Sequence, residues 1–265
     1  EYEEVFAIAK PTGWSCVGRS GTETPQPRRL SDFLRHVAGA WPLAGDAAAD
    51  HGLAHRLDLP TSGALLAAKT YRGLWRLRLG LCTRSTAKHY LLLCHGLLPR
   101  GWRRADAPLV LRRQRIRGVS VSGTARASVR SHVEVCEREG RPAITKVAAL
   151  AHLHGSAGDY TLAIARPITG RTHQIRCHLA HWGHPLAGDV QYGGSSSGCP
   201  RVFLHCTALG FPDPGDVRRE VQAPVPMDLL VALRGLVPVE EDSAQAVAAA
   251  LAGRLPGLSS ADEGY

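Results

Sequence analysis

The chain has 265 residues, enough for one large domain or two small ones with a buried core. Hydrophobic residues make up 44% and charged residues 21%, the balance of an ordinary soluble globular protein, and no run is apolar and long enough to span a bilayer. Lys+Arg number 32 against 23 Asp+Glu, a formal charge of +9 that suits a polyanion, most simply nucleic acid, or a merely soluble basic protein.

Seven cysteines are scattered with no C-x-x-C spacing, so neither a disulfide framework nor a zinc knuckle is expected. A reducing intracellular compartment is the simpler reading, with cytoplasm and organelle both open. The acidic start Glu1-Tyr2-Glu3-Glu4 is unlike a secretory or mitochondrial presequence. The chain begins without Met and holds only Met227, so it reads as an excerpt or a processed product.

In chain order, residues 5–9 read as a short buried strand ended by the turn Lys10-Pro11-Thr12-Gly13. Residues 16–29, with Pro25 and Pro27, read as a loop. Ser31 can cap a helix with Leu34, Val37 and Ala38 on its apolar face, and residues 44–50 form another loop. Residues 63–68 are a buried strand. Leu74, Leu77 and Leu81 mark one face of a helix whose other face carries Arg72 and Arg76. Residues 90–94 are a third buried strand, closed by Gly96.

Residues 99–128 are arginine-rich and hairpin-like, with Arg100, Arg103, Arg104, Arg112, Arg113, Arg115 and Arg117. Residues 147–153 and 160–165 pair across a turn at Gly155–Gly158. A helix follows from Thr172 as N-cap, ended by Gly183 and Pro185, with Ile175, Leu179 and Trp182 on its buried face. Residues 202–211 are a further strand, and Ala223-Pro224-Val225-Pro226 is extended. Strands dominate without regular βαβ alternation, which predicts an α+β fold. Residues 1–240 are expected to form a single domain. Residues 241–265 are expected as a helix-prone, poorly anchored or disordered tail.

Two segments carry ionisable residues beside apolar runs. In the first, Asp58 sits between Leu57 and Leu59, before Pro60-Thr61-Ser62-Gly63 and a buried strand. Apolar neighbours oppose its ionisation, and a facing guanidinium would favour it. An Asx-turn role is the alternative. In the second, His173 and Arg176 share a helix face that can point into a cleft, although Arg176 alone reads more readily as a surface ion pair. His178 and His181 lie one turn apart, but no carboxylate or suitably placed thiolate joins them, so no metal is expected.

Taken together, these residues resemble the motifs of the RluA family of pseudouridine synthases. His55-Arg56-Leu57-Asp58 with Thr61-Ser62-Gly63 is similar to that family's H-R-L-D-x-x-T-S-G. Lys88-His89-Tyr90-Leu91 with Gly96 is similar to its K-x-Y-L-A-x-x-x-G. Gly170-Arg171-Thr172-His173-Gln174-Ile175-Arg176, continued through Gly188-Asp189 and Tyr192-Gly193, is similar to its third motif. The Lys10-Pro11-Thr12-Gly13 turn, the Leu204-His205-Cys206 strand and the Ala223–Pro226 segment resemble outlying stretches, so the likeness runs in order from Ala9 to about Asp228.

The resemblance implies a long, mixed, mainly antiparallel bent sheet flanked by helices, with a cleft across it and neither cofactor nor metal. It implies isomerisation of uridine to pseudouridine in RNA, ribosomal or transfer, by a monomer that needs no membrane. Asp58 would be the essential carboxylate, as nucleophile at C1′ or base at C2′. Arg176 would be its ion-pair partner. Tyr90 would stack on the base and could help remove the C5 proton. Arg56 would fill the space the flipped base leaves. His55, Thr61, Arg171, His173 and Gln174 would shape the cleft and meet RNA. The arginines from Arg100 to Arg117, and the Arg72/Arg76 face, fit either phosphate contacts or solvated surface. Leu59-Pro60 departs from the polar pair usual in the family and stiffens the loop. No small RNA-binding module precedes the domain in this sequence. A catalytically silent RNA-binding or ribosome-assembly factor is the second reading, and an enzyme on a free nucleobase or nucleoside is the third.

Overall fold

A computed structural model describes residues 3–18, 28–37, 41–119, 125–212 and 217–254. The side chains of Arg115 and Arg117, the loop prolines Pro25 and Pro27, Ala38 and the end of the tail lie outside the described residues. The main sheet has nine strands: β1 (Val5–Lys10), β2 (Ser62–Ala68), β3 (Ala87–His95), β4 (Trp102–Asp106), β7 (Ile144–Gly155), β8 (Gly158–Pro167), β9 (Leu204–Pro212), β10 (Arg218–Gln222) and β11 (Val237–Pro238). Its path runs β1-β2-β9-β3-β8-β7-β11, with β10 beside β9 and β4 beside β7. Strands β5 (Leu109–Val119) and β6 (Ala125–Val135) form a separate antiparallel hairpin. Every named pairing is antiparallel except β2 with β9. This is the α+β fold that the sequence predicts, with the mixed, mainly antiparallel sheet that the resemblance implies.

The sheet is central because its strands are apolar on both faces. In β3, Tyr90, Leu92 and Cys94 enter one core, and Leu91 and Leu93 enter the other. The first core is covered by α1 (Leu30–Val37), α3 (Tyr71–Cys82) and α4 (Gln174–His181), which contribute Leu30, Leu34, Leu74, Leu77, Ile175 and Leu179. The second is covered by α5 (Met227–Arg234) and α6 (Glu241–Leu251), through Leu229, Leu233, Val247 and Ala250. A short helix, α2 (Pro42–Gly45), occupies part of the expected loop at 44–50.

Three local expectations are revised, and one helix was not foreseen. Helix α1 starts at Leu30, so Ser31 is a buried interior residue rather than a cap. Helix α4 starts at Gln174, and its N-cap is His173 with a left-handed φ of 51°, not Thr172. Helix α5 follows the extended 223–226 segment, where Pro226 is its N-cap and Asp228 bonds the backbone N–H of Leu229. Residues 241–251 are firmly docked: Val247 and Ala250 are buried, and Ser243 Oγ accepts from the His152 N–H of β7 at 2.9 Å. The small residues of α6 made it look solvent-tolerant, but small side chains are what let it approach the sheet closely.

Candidate active site

A cavity of about 270 Å³ gathers residues from four places in the chain. Its lining includes all nine residues that the sequence singled out: His55, Arg56, Asp58, Thr61, Tyr90, Arg171, His173, Gln174 and Arg176. It also includes Lys88.

Asp58 stands on a turn closed by the Thr61 N–H bonding to the Asp58 carbonyl at 3.1 Å. Neighbouring groups pin this turn residue by residue. The Cys16 thiol bonds both backbone groups of Leu57, at 3.3 and 3.5 Å. The Leu59 carbonyl accepts from Gly13 N–H at 2.9 Å and from Lys10 Nζ at 3.4 Å. The Pro60 carbonyl accepts from Thr12 Oγ1 at 3.0 Å and from Arg201 Nη1 at 3.2 Å. Arg201 Nη2 also donates to Ser62 Oγ at 3.0 Å, which in turn meets His205 Nδ1 at 2.9 Å. Asp228 holds Arg201 from behind at 2.6 and 3.2 Å.

Gly63 is required just past this turn. It has φ +122°, and a Cβ there would lie 2.2 Å from the Cys206 carbonyl oxygen of β9. Only glycine lets β2 run parallel and close to β9 directly behind Asp58.

Arg176 is buried, with 3% of its side chain exposed. Its Nη1 lies 4.0 Å from Asp58 Oδ2, close enough for attraction and too long for a hydrogen bond. The guanidinium makes its two short bonds, both 2.7 Å, to Asp189, and a third to Gln191 Oε1 at 3.1 Å. Tyr192 packs its ring face 4.9 Å from the guanidinium carbon. The expected pairing with Asp58 is thus a loose one: Asp189 fixes Arg176, leaving Nη1 toward Asp58. Burial opposes the charge of Arg176, but the bonds to Asp189 outweigh it and raise its pKa.

His173 Nε2 is 3.9 Å from the other oxygen of Asp58, and its Nδ1 meets the Tyr192 hydroxyl at 2.9 Å. That hydroxyl accepts from the Val133 N–H, so its own proton is available to Nδ1 and the Nε2–H faces Asp58. Burial lowers the His173 pKa and keeps the ring neutral at pH 7. Gln174 is structural. Its Oε1 accepts from Thr169 Oγ1 and Arg171 N–H, and its Nε2 donates to the Ile144 carbonyl and Thr145 Oγ1. Arg171 is exposed at the rim and donates to the Pro142 carbonyl.

Tyr90 is 7% exposed, and a register shift between His89 and Tyr90 sets its direction. Burial drives its pKa well above the usual value, so the phenol keeps its proton. Lys88 has no carboxylate partner among the described residues, and burial lowers its pKa. His55 accepts from the Leu66 N–H at 3.2 Å and is held neutral by burial, its pKa lowered to about 3. Thr61 Oγ1 is buried without a hydrogen-bond partner. Arg56 is exposed at the cavity mouth.

The basic surface is more neutralised than composition suggests. Arg72 and Arg76 both pair with Glu4, Arg100 with Glu240, Arg104 with Asp106, and Arg112 with Glu134 and Glu139. His178 places its ring nitrogens on Thr145 Oγ1 and the Ala107 carbonyl, and no group of three or more metal-binding side chains converges among the described residues.

A family model described as RNA pseudouridylate synthase matches residues 4–181. The chain belongs to that family. Its relatives include proteins described as ribosomal large subunit pseudouridine synthase C. That of Salmonella typhi is 35% identical over 86% of this chain and 66% of its own length, and that of Yersinia pestis is 37% identical over 69% and 55%. The corresponding protein of Escherichia coli K12 is 34% identical over 85% and 65%. The chain thus spans between about half and two thirds of the length of these relatives. Human RNA pseudouridylate synthase domain containing 1 has the same fold, with a TM-score of 0.64 at 22% identity over 97% of this chain and 95% of that one.

Within this cavity and its support, the sequence left the roles of Asp189, Tyr192, Lys10, Cys16, Lys88 and Arg201 unassigned. Asp189 and Tyr192 were visible in the third motif, and Lys10 in the opening turn. Arg201 and Cys16 carried no local signal, because their partners are distant in the chain.

Proposed function

We propose that the chain isomerises uridine to pseudouridine in a structured RNA, with Asp58 as the reacting carboxylate. The observation that carries this reading is the Asp58 carboxylate, 20% exposed in a cavity with Arg176 Nη1 4.0 Å away and Tyr90 on the same lining. A carboxylate held on a pinned turn beside a fixed guanidinium stays positioned without being consumed by a short ion pair.

The reaction breaks the N1–C1′ bond, turns the uracil, and bonds C5 to C1′; the proton lost from C5 is balanced by one gained at N1. Asp58 acts by attack at C1′ or by taking a proton from C2′. Tyr90 supplies the stacking face, and Arg56 at the mouth fills the place of the flipped base. Arg176 and the His173 Nε2–H steady the carboxylate. The named relatives act on the large ribosomal subunit, which makes ribosomal RNA the first substrate to test, with transfer RNA second.

The test maps pseudouridines in total RNA from a deletion strain carrying wild-type protein or Asp58→Ala. Sites are expected to return with wild type and to stay absent with Asp58→Ala. Return of every site with Asp58→Ala would overturn the reading in favour of an RNA-binding factor.

A further inference from the structure

Of the chain's five tryptophans, three have partners in the fold. Trp14 meets Phe33 and Arg28, Trp41 meets Phe6 and Lys69, and Arg78 lies over Trp75. Trp102 and Trp182 have no ring or cation over them among the described residues, and both line one surface hollow of about 480 Å³. Trp102 is 41% exposed on β4, and Trp182 is half-buried at the C-cap of α4. The hollow is also lined by Arg103, Arg104 and His184. Arg104 is held by Asp106, but Arg103 is exposed and has no ion pair among the described residues.

Two indole surfaces beside a free guanidinium are the chemistry that binds an unpaired nucleobase and its phosphate. The hollow is also well placed. Trp182 packs on the same core as Tyr90 and Ile175, which line the Asp58 cavity. Trp182 follows Arg176 by six residues on or just beyond α4, a rise of about 9 Å.

We propose that Trp102, Trp182 and Arg103 form a second base-stacking site, which holds an unpaired nucleotide of the RNA near the one that enters the Asp58 cavity. This rests on the RNA reading above. Stacking fixes the strand without reading sequence strongly, and Arg103 meets its backbone.

The experiment uses the full chain and a single-stranded 12-nucleotide RNA carrying 5-bromouridine, cross-linked by light and mapped by mass spectrometry. Adducts are expected on Trp102 or Trp182. Trp102→Ala is expected to weaken binding of the same RNA about tenfold, with Trp102→Phe restoring most of it and Trp75→Ala changing nothing. Arg103→Gln is expected to reduce the salt dependence of binding by about one counterion. On the RNA that the mapping identifies, Trp102→Ala is expected to raise KM and leave kcat within about twofold. Adducts confined to other residues, or Trp102→Ala that binds and turns over with wild-type Kd and KM, would overturn the proposal. In that second case pseudouridine still forms, so the functional reading stands. Cross-linking at Trp102 in a protein that forms no pseudouridine supports this site and defeats that reading instead.

Discussion

Lys10 is nearly inaccessible, at 1% exposure, and its ammonium donates to the carbonyls of Pro11, Trp14 and Leu59. Burial lowers its pKa to about 8, although the nearby Cys16 and Asp58 favour the charged form. The folded chain therefore releases this proton between pH 8 and the ordinary value of 10.5, while the unfolded chain keeps it. The sign follows: the contribution of Lys10 to stability rises with pH across that window, by about 3 kcal/mol in all relative to neutral pH. Activity moves the other way, since the neutral amine has fewer protons to hold the Leu59 carbonyl under Asp58. A pH profile of kcat/KM is expected to fall with an inflection near pH 8, and Lys10→Met is expected to remove the inflection at a lower plateau. An unchanged alkaline limb in Lys10→Met would assign that limb to another group. The sequence showed Lys10 as a turn residue only, because nothing local says that three backbone carbonyls converge on its tip.

At the scale of elements, the Asp58 turn is clamped between the N-terminal turn on one side and Arg201, just ahead of β9, on the other. Arg201→Met is expected to lower kcat about tenfold to a hundredfold with little change in KM, because the turn loosens while the cavity walls remain; Arg201→Lys is expected to recover part of the loss by keeping one donor. A rise in KM with unchanged kcat would instead place Arg201 in RNA binding. The opposite face depends on α6. Val247→Asp puts a carboxylate against Leu229 and Leu233 and is expected to destabilise the fold by about 3 kcal/mol, read by urea unfolding. The strands were legible because period-two burial on both faces writes them as apolar runs, and α3 was legible from Leu74 and Leu77. The starts of α1 and α4 were not, whereas the stop of α4 at Gly183 was. His173 enters α4 through a left-handed residue, and Gln174 replaces the expected Thr172 cap by holding the preceding turn with its side chain. The anchoring of α6 was hidden because alanines give no amphipathic contrast.

Over the whole molecule, the cavity residues were legible as a set because motifs preserve types and order. The support behind them was not, because it is tertiary. Asp58 is held by residues near position 10 and by Arg201, and Arg176 is held by Asp189. A chain truncated after residue 181 retains the whole stretch matched by the family model but loses Asp189, Arg201 and β9. It is expected to be inactive and to lack a cooperative thermal transition, as checked by circular dichroism. A folded, active fragment would show that the distal residues are dispensable. The parallel pairing of Ser62 with His205 also has a consequence in time. A ribosome delivers β2 well over a hundred residues before β9, the strand that pairs with it in parallel, so β2 waits for that neighbour while the intervening strands are made. The support behind the Asp58 motif is thus made long after the motif itself, and a translation product interrupted between the two carries every residue of that motif without the strand that backs it.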